Sequence, residues 1–134
     1  MIKIYLAGPI FMCSDDDAND WRTRAKHLFS CAYEEFKMLD PMIRDYRNVT
    51  DIAYREIVDL DKIDVRTCDI VLANCTQPSA GTSMEIFYAH QLGKIVVPIV
   101  SGQPSPWIKY HSTTLQPSLE KAVEWVIETG ITVL

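Results

Sequence analysis

The segment DIVLANCTQPSAGTSMEIFYAHQL, residues 69–92, decides the expected fold of this chain. It begins with an apolar run, 69–73, that is typical of a buried strand, and it ends with a helical pattern over 82–92. Small and polar residues form a turn between the two. Gly93 follows the helix, and glycine readily adopts the backbone conformation that ends one. The segment therefore predicts a strand that leads through a short turn directly into a helix.

Glu85 is the side chain of most interest in this segment, because we expect it in the first turn of the helix. Free backbone N–H groups and the positive end of the helix dipole favour an anion at such a position. We therefore expect the Glu85 carboxylate to be held in place and ionised, as a nucleophile or a ligand-orienting group requires. The alternative is an exposed acid that only favours the start of a helix.

Strand and helix patterns alternate along the rest of the chain as well. This alternation is typical of β-α-β units, so we expect an α/β protein with a parallel sheet of about five strands, covered by helices on both faces. The predicted strands cover residues 2–7, 36–39, 69–73, 95–100 and an edge strand at 113–116. The predicted helices cover 20–32 (capped from the acidic turn 14–17), 50 or 51–66 (capped by Thr50 or Asp51), 82–92, a short segment around 107–110, and 117 or 118–129.

Length and charge limit the possible functions. The chain has 134 residues and a formal net charge of −5, so we expect a single domain over residues 1–134. A surface for polymeric nucleic acid needs clustered Lys and Arg, which an acidic chain does not suggest. Free nucleotides remain possible ligands, because one local anion site is enough for them.

The four cysteines, Cys13, Cys31, Cys68 and Cys75, have no metal-ligand spacing with each other or with the histidines. We therefore expect free thiols, no metal and no cofactor. No apolar run reaches the roughly 20 residues of a membrane span. Because Met1 leads directly into a strand pattern, we expect no signal peptide and a cytoplasmic protein without a membrane partner.

Ligands of parallel α/β sheets bind at the carboxyl ends of the strands, near the point where the strand order reverses. In this chain that edge collects residues 8–11, 40–41, 74–83 and 101–105. Asp61, on the preceding helix, is a candidate partner for Glu85, although a solvated surface acid is an alternative for it. Two carboxylates that face a sugar suggest cleavage of a glycosidic bond, with one as nucleophile and the other as acid or base.

Several other side chains have both a functional and a structural interpretation. Tyr5 points along the first strand toward the same edge, where its hydroxyl would orient Glu85, or it is a packed strand tyrosine. Ser79 and Ser105 are candidate phosphate donors, or residues that shape turns. Phe11 and Trp107 would form an apolar wall over a base, or belong to the core.

Three blocks of the sequence resemble the nucleoside 2-deoxyribosyltransferase family. They are IYLAGPIF (residues 4–11), DIVLAN (69–74) and GTSMEIFYA (81–89), and their order and spacing also fit. The resemblance implies a flavodoxin-like, Rossmann-like three-layer sandwich. It also implies that Glu85 attacks the anomeric carbon of a 2-deoxyribosyl group, that Asp61 handles the proton on the leaving base, and that Tyr5 lies near the nucleophile. Such proteins are typically homodimers or higher homo-oligomers with shared sites.

Features of two branches of that family are mixed in this chain. The short loop with Ser79 and Gly81 before Glu85, and the segment from Ser105, are similar to the 2′-deoxynucleoside 5′-monophosphate N-hydrolases. The turn Gly8-Pro9-Ile10-Phe11 has the form common among the transferases, and it lacks the arginine that the hydrolases place near the phosphate. Arg22, Arg24, Arg44 and Lys109 are possible replacements.

The sequence therefore predicts an enzyme that cleaves the N-glycosidic bond of a 2′-deoxynucleoside 5′-monophosphate through a glycosyl-Glu85 intermediate. The alternatives are a transferase that moves deoxyribose between bases and a non-catalytic nucleotide-binding sensor. The predicted catalytic residues are Glu85, Asp61 and Tyr5. The predicted substrate-binding residues are Gly8, Pro9, Ile10, Phe11, Ser79, Gly81, Met84, Ser105 and Trp107.

Overall fold

The computed structural model describes residues 1–134. Its strands are β1 (Ile2–Ala7), β2 (Phe36–Leu39), β3 (Ile70–Asn74) and β4 (Ile95–Ile99). Its α-helices are α1 (Asp15–Ser30), α2 (Thr50–Thr67), α3 (Ala80–Gln91), α4 (Pro106–Tyr110) and α5 (Leu119–Glu128), with 3-10 turns at Pro41–Ile43 and Gly130–Thr132.

The four strands form one parallel sheet in the order β2-β1-β3-β4. The chain therefore moves outward from β1 to β2 and returns past β1 to β3, which makes the gap between β1 and β3 the topological switch point. In the register of these two strands Tyr5 lies opposite Val71 and Ala7 opposite Ala73. The α/β class and the flavodoxin-like sandwich predicted from the sequence are confirmed.

Strand alternation divides the apolar residues between two cores. Ile4 and Leu6 point toward α1 and α5, while Tyr5 and Ala7 point toward α2 and α3. Successive side chains of a strand point to opposite faces, so each central strand contributes to both layers. Tyr5 consequently lies on the face that α3 covers, and all of its surface is buried.

The predicted fifth strand at 113–116 does not form, although the segment runs beside β4. It makes an isolated bridge between Ile99 and Gln116, and the Gln116 N–H donates to the Pro98 carbonyl oxygen over 3.0 Å. The backbone groups of Val96, Pro98 and Val100 point to the outer edge of the sheet, because the residues between them are hydrogen-bonded to β3. Proline has no N–H, so the ladder on this edge loses its middle donor.

Two helices begin earlier in the chain than predicted, because serine residues cap them at earlier positions than expected. Ser14 accepts from the Asp17 N–H, so α1 begins at Asp15 rather than Asp20. Ser79 accepts from the Thr82 N–H, so α3 begins at Ala80. Glu85 is therefore the sixth residue of α3 and lies in its second turn. The expectation that Glu85 lies in the first turn was wrong.

The start of α2 also differs in its cap. Neither Thr50 nor Asp51 caps this helix; both lie inside it, and Val49 precedes it without a side-chain cap. None of the helices is both long and apolar enough to cross a membrane.

Candidate active site

A cavity of about 160 Å³ opens at the carboxyl ends of β1 and β3, beside the switch point. Three segments supply its walls: the turn after β1, the start of α3, and the loop and helix that follow β2. The residues that line it are Gly8, Ile10, Phe11, Tyr46, Arg47, Thr50, Ile57, Asp61, Ser79, Gly81, Thr82 and Glu85. The cavity therefore lies where ligands of this fold class bind.

Glu85 and Tyr5 form a direct hydrogen bond in this site. The Tyr5 hydroxyl donates a hydrogen bond to the Glu85 carboxylate. Packing fixes both partners, since Tyr5 is buried in the sheet and Ile86, next to Glu85, is buried in the same core. The contact leaves the Glu85 side chain at the cavity wall in one defined position.

Burial raises the pKa of Glu85 to about 8, and the charges of Asp61 and Asp64 act in the same direction. The Tyr5 hydrogen bond and the positive charge of Arg22 oppose this rise. Burial therefore acts against the ionisation of Glu85 that we expected from the helix N-terminus. The helix dipole weakens beyond the first turn, whereas burial disfavours the charged form of a carboxyl group directly. Burial and the Glu85 carboxylate together also raise the pKa of Tyr5 well above its ordinary value, so its hydroxyl stays protonated and remains a donor.

Asp61 reaches the cavity from α2 and is held there by Arg44. One nitrogen of the Arg44 guanidinium donates to Asp61 over 3.1 Å and to Asp64 over 2.8 Å. Burial raises the pKa of Asp61, and the Arg44 contact acts against that rise. The structure therefore brings two carboxyl groups with raised pKa values to one small cavity, a pattern common at catalytic sites.

The turn after β1 supplies part of the wall, with Gly8, Ile10 and Phe11 all in contact with the cavity. Gly8 is packed against the ring of Trp21, and a Cβ added at Gly8 would lie 2.6 Å from Trp21 Cζ2. Pro9 does not line the cavity. Its carbonyl oxygen accepts from Arg22 instead.

A second cavity, of about 450 Å³, shares Ser79 and Thr82 with the first and extends to the loop after β4. Ser105 lies in this second cavity. Both candidate serines cap helices: the Ser79 hydroxyl accepts from the Thr82 N–H over 3.3 Å, and the Ser105 hydroxyl accepts from the Trp107 N–H over 3.1 Å. Each serine thus shapes a turn and also lines the cavity.

Met84 and Trp107 do not line the Glu85 cavity. They lie together in a groove between α3 and α4, with 69% of the Met84 surface and 70% of the Trp107 surface exposed. The Met84 side chain points to a different face of α3 from that of Glu85, and therefore away from the cavity. The structure therefore does not place these two predicted residues beside Glu85.

The loop after β2 contributes wall residues that the sequence did not predict, Tyr46 and Arg47 among them. Arg47 bonds to Asp45 through two nitrogens, at 2.9 and 2.7 Å, to Asp15 at 2.6 Å and to the Cys13 carbonyl oxygen at 3.1 Å. It thereby ties the loop after β2 to the loop after β1. The position of the loop at the carboxyl end of β2 was the available signal, because the strand-end rule applies to β2 as well.

None of the four cations considered as a replacement for the missing arginine lies free in the Glu85 cavity. Arg22 is bonded to backbone carbonyls of the β1–α1 region, Arg24 pairs with Glu120 on α5, and Arg44 holds the two aspartates of α2. Lys109 is exposed on α4 and lines neither cavity. The four cysteines are free thiols, and no cluster of three or more His, Cys, Asp or Glu side chains could hold a metal ion.

Strand order 2-1-3-4, with a carboxylate site at the switch point, defines a flavodoxin-like α/β protein, and comparison with known families gives the particular family. The family model described as nucleoside 2-deoxyribosyltransferase matches residues 4–114. The chain therefore belongs to the nucleoside 2-deoxyribosyltransferase family, whose members are enzymes. The family predicted from the three sequence blocks is confirmed.

Solved structures of low sequence identity share the fold. A 2-desoxiribosyltransferase from Leishmania mexicana superposes with a TM-score of 0.73 at 20% identity, covering 96% of this chain and 99% of its own. A 2-deoxyribosyltransferase from Bacillus psychrosaccharolyticus gives 0.71 at 17% identity, covering 87% of each chain. The CMP N-glycosidase BcmB from Clostridium botulinum gives 0.57 at 14% identity, covering 92% of this chain and 97% of its own. No curated protein sequence matches this chain at a significant level.

Proposed function

We propose that this protein cleaves the N-glycosidic bond of a 2′-deoxynucleoside 5′-monophosphate, with Glu85 as the nucleophile. The observation that carries the proposal is the hydrogen bond from buried Tyr5 to Glu85, at the wall of a cavity that Asp61 also lines. A carboxylate oriented by a phenol in the same cavity as a second acid is suited to an oxocarbenium-like transition state, because one acid attacks the sugar while the other handles the proton on the leaving group.

In the first step a Glu85 oxygen forms a bond to C1′ as the bond from C1′ to the base nitrogen breaks. Asp61 supplies a proton to the departing base. The productive form of the pair therefore has Glu85 ionised and the proton on Asp61, and because the two groups interact electrostatically, their titrations are coupled. Tyr5 keeps its proton and holds the Glu85 carboxylate toward the sugar. Water then attacks C1′ of the ester, with its proton passing to Asp61, and releases the deoxyribose phosphate and Glu85.

The second cavity supports a phosphate group on the substrate. It contains the start of α3, where backbone N–H groups lack helical partners, together with the hydroxyl-bearing residues Ser79 and Ser105. Helix N-termini with neighbouring hydroxyls bind phosphate through these donors. A nucleotide whose sugar lies above Glu85 would extend its 5′-phosphate past Ser79 into this cavity.

A second candidate is the transfer of deoxyribose from one base to another. None of the 14 residues that line the second cavity is charged, which suits a neutral nucleoside. Two of the structures with the same fold are 2-deoxyribosyltransferases by name. In this case a second base, rather than water, attacks C1′ of the Glu85 ester.

One assay separates these possibilities. The protein is incubated with the common 2′-deoxynucleosides and their 5′-monophosphates, with and without a different free base, and the products are separated by chromatography. We expect free base from a monophosphate in the absence of an acceptor. Release from nucleosides only when an acceptor base is present would establish the transferase instead. Tight binding without release from any substrate would contradict both and favour a nucleotide sensor.

We further propose that two or more copies of the chain assemble so that a neighbour completes the site. The Glu85 cavity, at about 160 Å³, is smaller than the roughly 300 Å³ of typical ligand sites. The groove that holds Met84 and Trp107 adds exposed apolar surface near the same end of α3. Sedimentation velocity should give at least a dimer, and Trp107→Glu should shift it to monomer with loss of activity. A monomeric wild type with full activity would contradict this proposal.

A further inference from the structure

Arg22 is the largest of the fully buried side chains, with 1% of its surface exposed, and no step of the proposed reaction uses it. Burying a guanidinium group costs free energy unless its five N–H donors find partners. Desolvation lowers the pKa of Arg22, and the negative charge of Asp40 opposes that change most strongly. A buried cation that remains charged next to an active site points to a role there.

The donors of Arg22 bind mainly to the backbone at the carboxyl end of β1. Nη2 donates to the Gly8 carbonyl oxygen at 3.0 Å and to that of Leu6 at 3.3 Å, and Nε reaches the Leu6 oxygen at 3.4 Å. Nη1 donates to the carbonyl oxygen of Pro9 at 3.5 Å and to that of Ala18. One side chain on α1 therefore holds three carbonyl groups of the turn that carries Gly8, a wall residue of the Glu85 cavity.

The charge of Arg22 also acts on Glu85. The groups that influence Glu85 come from three elements: Tyr5 on β1, Asp61 and Asp64 on α2, and Arg22 on α1. The two aspartates disfavour the Glu85 carboxylate, whereas Arg22 favours it. Arg22 is itself accompanied by Asp40, whose Oδ1 lies 3.6 Å from Nε, and by Cys13 after β1.

We propose that Arg22 is a positioning residue for the Glu85 site, which holds the turn of residues 6–9 against α1 and keeps its buried positive charge next to the turn that lines the Glu85 cavity. This inference rests on the proposed function, in which an ionised Glu85 attacks the sugar. It goes beyond that function because Arg22 touches neither the substrate nor the reacting atoms.

The test compares Arg22→Met and Arg22→Lys with a control on the same helix. Arg24→Met is the matched control, because Arg24 is 62% exposed and pairs only with Glu120. For each variant, kcat and KM of base release are measured between pH 5.5 and 9.5, and thermal unfolding shows whether the variant is folded.

For Arg22→Met we expect kcat to fall at least tenfold and the acidic limb of the kcat profile to move to higher pH. Arg22→Lys keeps the charge but loses donors to the turn, so we expect a lower kcat with the limb close to its wild-type position. If Arg22→Met does not fold, the kcat of Arg22→Lys alone tests the proposal. A folded Arg22→Met with the kcat and acidic limb of the Arg24→Met control would overturn the proposal. Where Arg22→Met does not fold, an Arg22→Lys with the kcat of that control would overturn it.

Titration of the Glu85 carboxyl carbon by ¹³C NMR distinguishes failure of this inference from failure of the proposed function. This measurement requires no turnover. We expect a higher midpoint for Glu85 in Arg22→Met than in wild type, and an equal midpoint would overturn the inference even if the enzyme proved active. Absence of base release by wild type would instead contradict the proposed function and leave the NMR comparison to decide the role of Arg22.

Discussion

Tyr5 and Glu85 are 80 residues apart in the chain, yet the Tyr5 hydroxyl donates to the Glu85 carboxylate across the space between β1 and α3. The parallel pairing of β1 with β3 produces this contact, because it brings the third helix over the face of the sheet to which Tyr5 points. Both partners are anchored by packing, so the hydrogen bond orients the carboxylate before any substrate arrives. Preorganisation of this kind is effective in catalysis because little reordering is needed during the reaction.

Removing the Tyr5 hydroxyl should weaken catalysis without disturbing the core. Tyr5→Phe keeps the buried ring, so we expect a folded protein. A hydrogen bond to a charged group contributes about 1.5–3 kcal/mol, which corresponds to a kcat reduced by roughly 10- to 100-fold. The acidic limb of the pH profile should also move upward, because the Tyr5 hydrogen bond lowers the pKa of Glu85. Unchanged kcat and an unchanged limb in Tyr5→Phe would show that the bond plays no part in the reaction.

Glu85 should make the folded protein less stable as the pH rises from about 4.5 to about 8. Its pKa is about 8 in the folded protein and about 4.3 in an unfolded chain, so the folded state binds the additional proton in this range. Glu85→Gln removes this effect. We expect the free energy of unfolding of Glu85→Gln to exceed that of wild type by at least about 2 kcal/mol at pH 8 and by little at pH 4.5. Urea unfolding at both pH values measures the difference.

The control for this experiment is Glu34→Gln, because Glu34 is exposed. Its stability relative to wild type should not change between the two pH values. If Glu85→Gln behaves in the same way, Glu85 is ionised at neutral pH in the folded protein, and burial does not raise its pKa.

Gly8 should tolerate no side chain, because the indole of Trp21 occupies the required space. We expect Gly8→Ala to lose about 1–3 kcal/mol, the usual range for overpacking, and to lose activity as the cavity wall shifts. Gly81→Ala is the matched control, since a Cβ there meets nothing within 4 Å; it should be neutral or stabilising by up to about 1 kcal/mol. Trp21→Leu should restore part of the stability lost in Gly8→Ala. Equal stability of the two alanine variants would contradict the close packing of Gly8 on Trp21.

Asp61 should be required for departure of the base and dispensable for folding. In Asp61→Asn the Arg44 guanidinium retains Asp64 as a partner, so we expect a folded protein. Loss of a general acid usually costs about 10²-fold or more in rate. Asp59→Asn, an exposed position on the same helix, should stay within about twofold of wild type. Equal kcat values for the Asp61 and Asp59 variants would remove Asp61 from the mechanism.

Much of the fold could be predicted from local patterns, because the strands β1, β3 and β4 are short apolar runs between turn residues. The fifth strand was predicted wrongly because a single missing N–H at Pro98 interrupts its ladder, and apolar periodicity carries no information about the partner strand. The start of α3 depended on which serine or threonine acts as the cap. That choice moved Glu85 from the first helical turn to the second.

The site was harder to predict than the fold. The strand-end rule and the family blocks together indicated Tyr5, Asp61 and Glu85. The structure places Asp61 and Glu85 in the wall of one cavity and bonds buried Tyr5 to Glu85. The ionisation of Glu85 depends on burial by several elements, which local sequence does not show. Arg22 and Arg47 were missed in their observed roles because both bind backbone or loop groups that are distant in the sequence.

The central claim is that Glu85 forms a covalent bond to the sugar, and intact-protein mass spectrometry during turnover tests it most directly. The reaction is stopped with acid, and peptide mapping locates any added mass. We predict an increase equal to a deoxyribosyl group, with its phosphate for a nucleotide substrate, on the peptide that contains Glu85, and none in Glu85→Ala, which should be folded and inactive. A folded Glu85→Ala with full activity, or an adduct on another residue, would contradict the account.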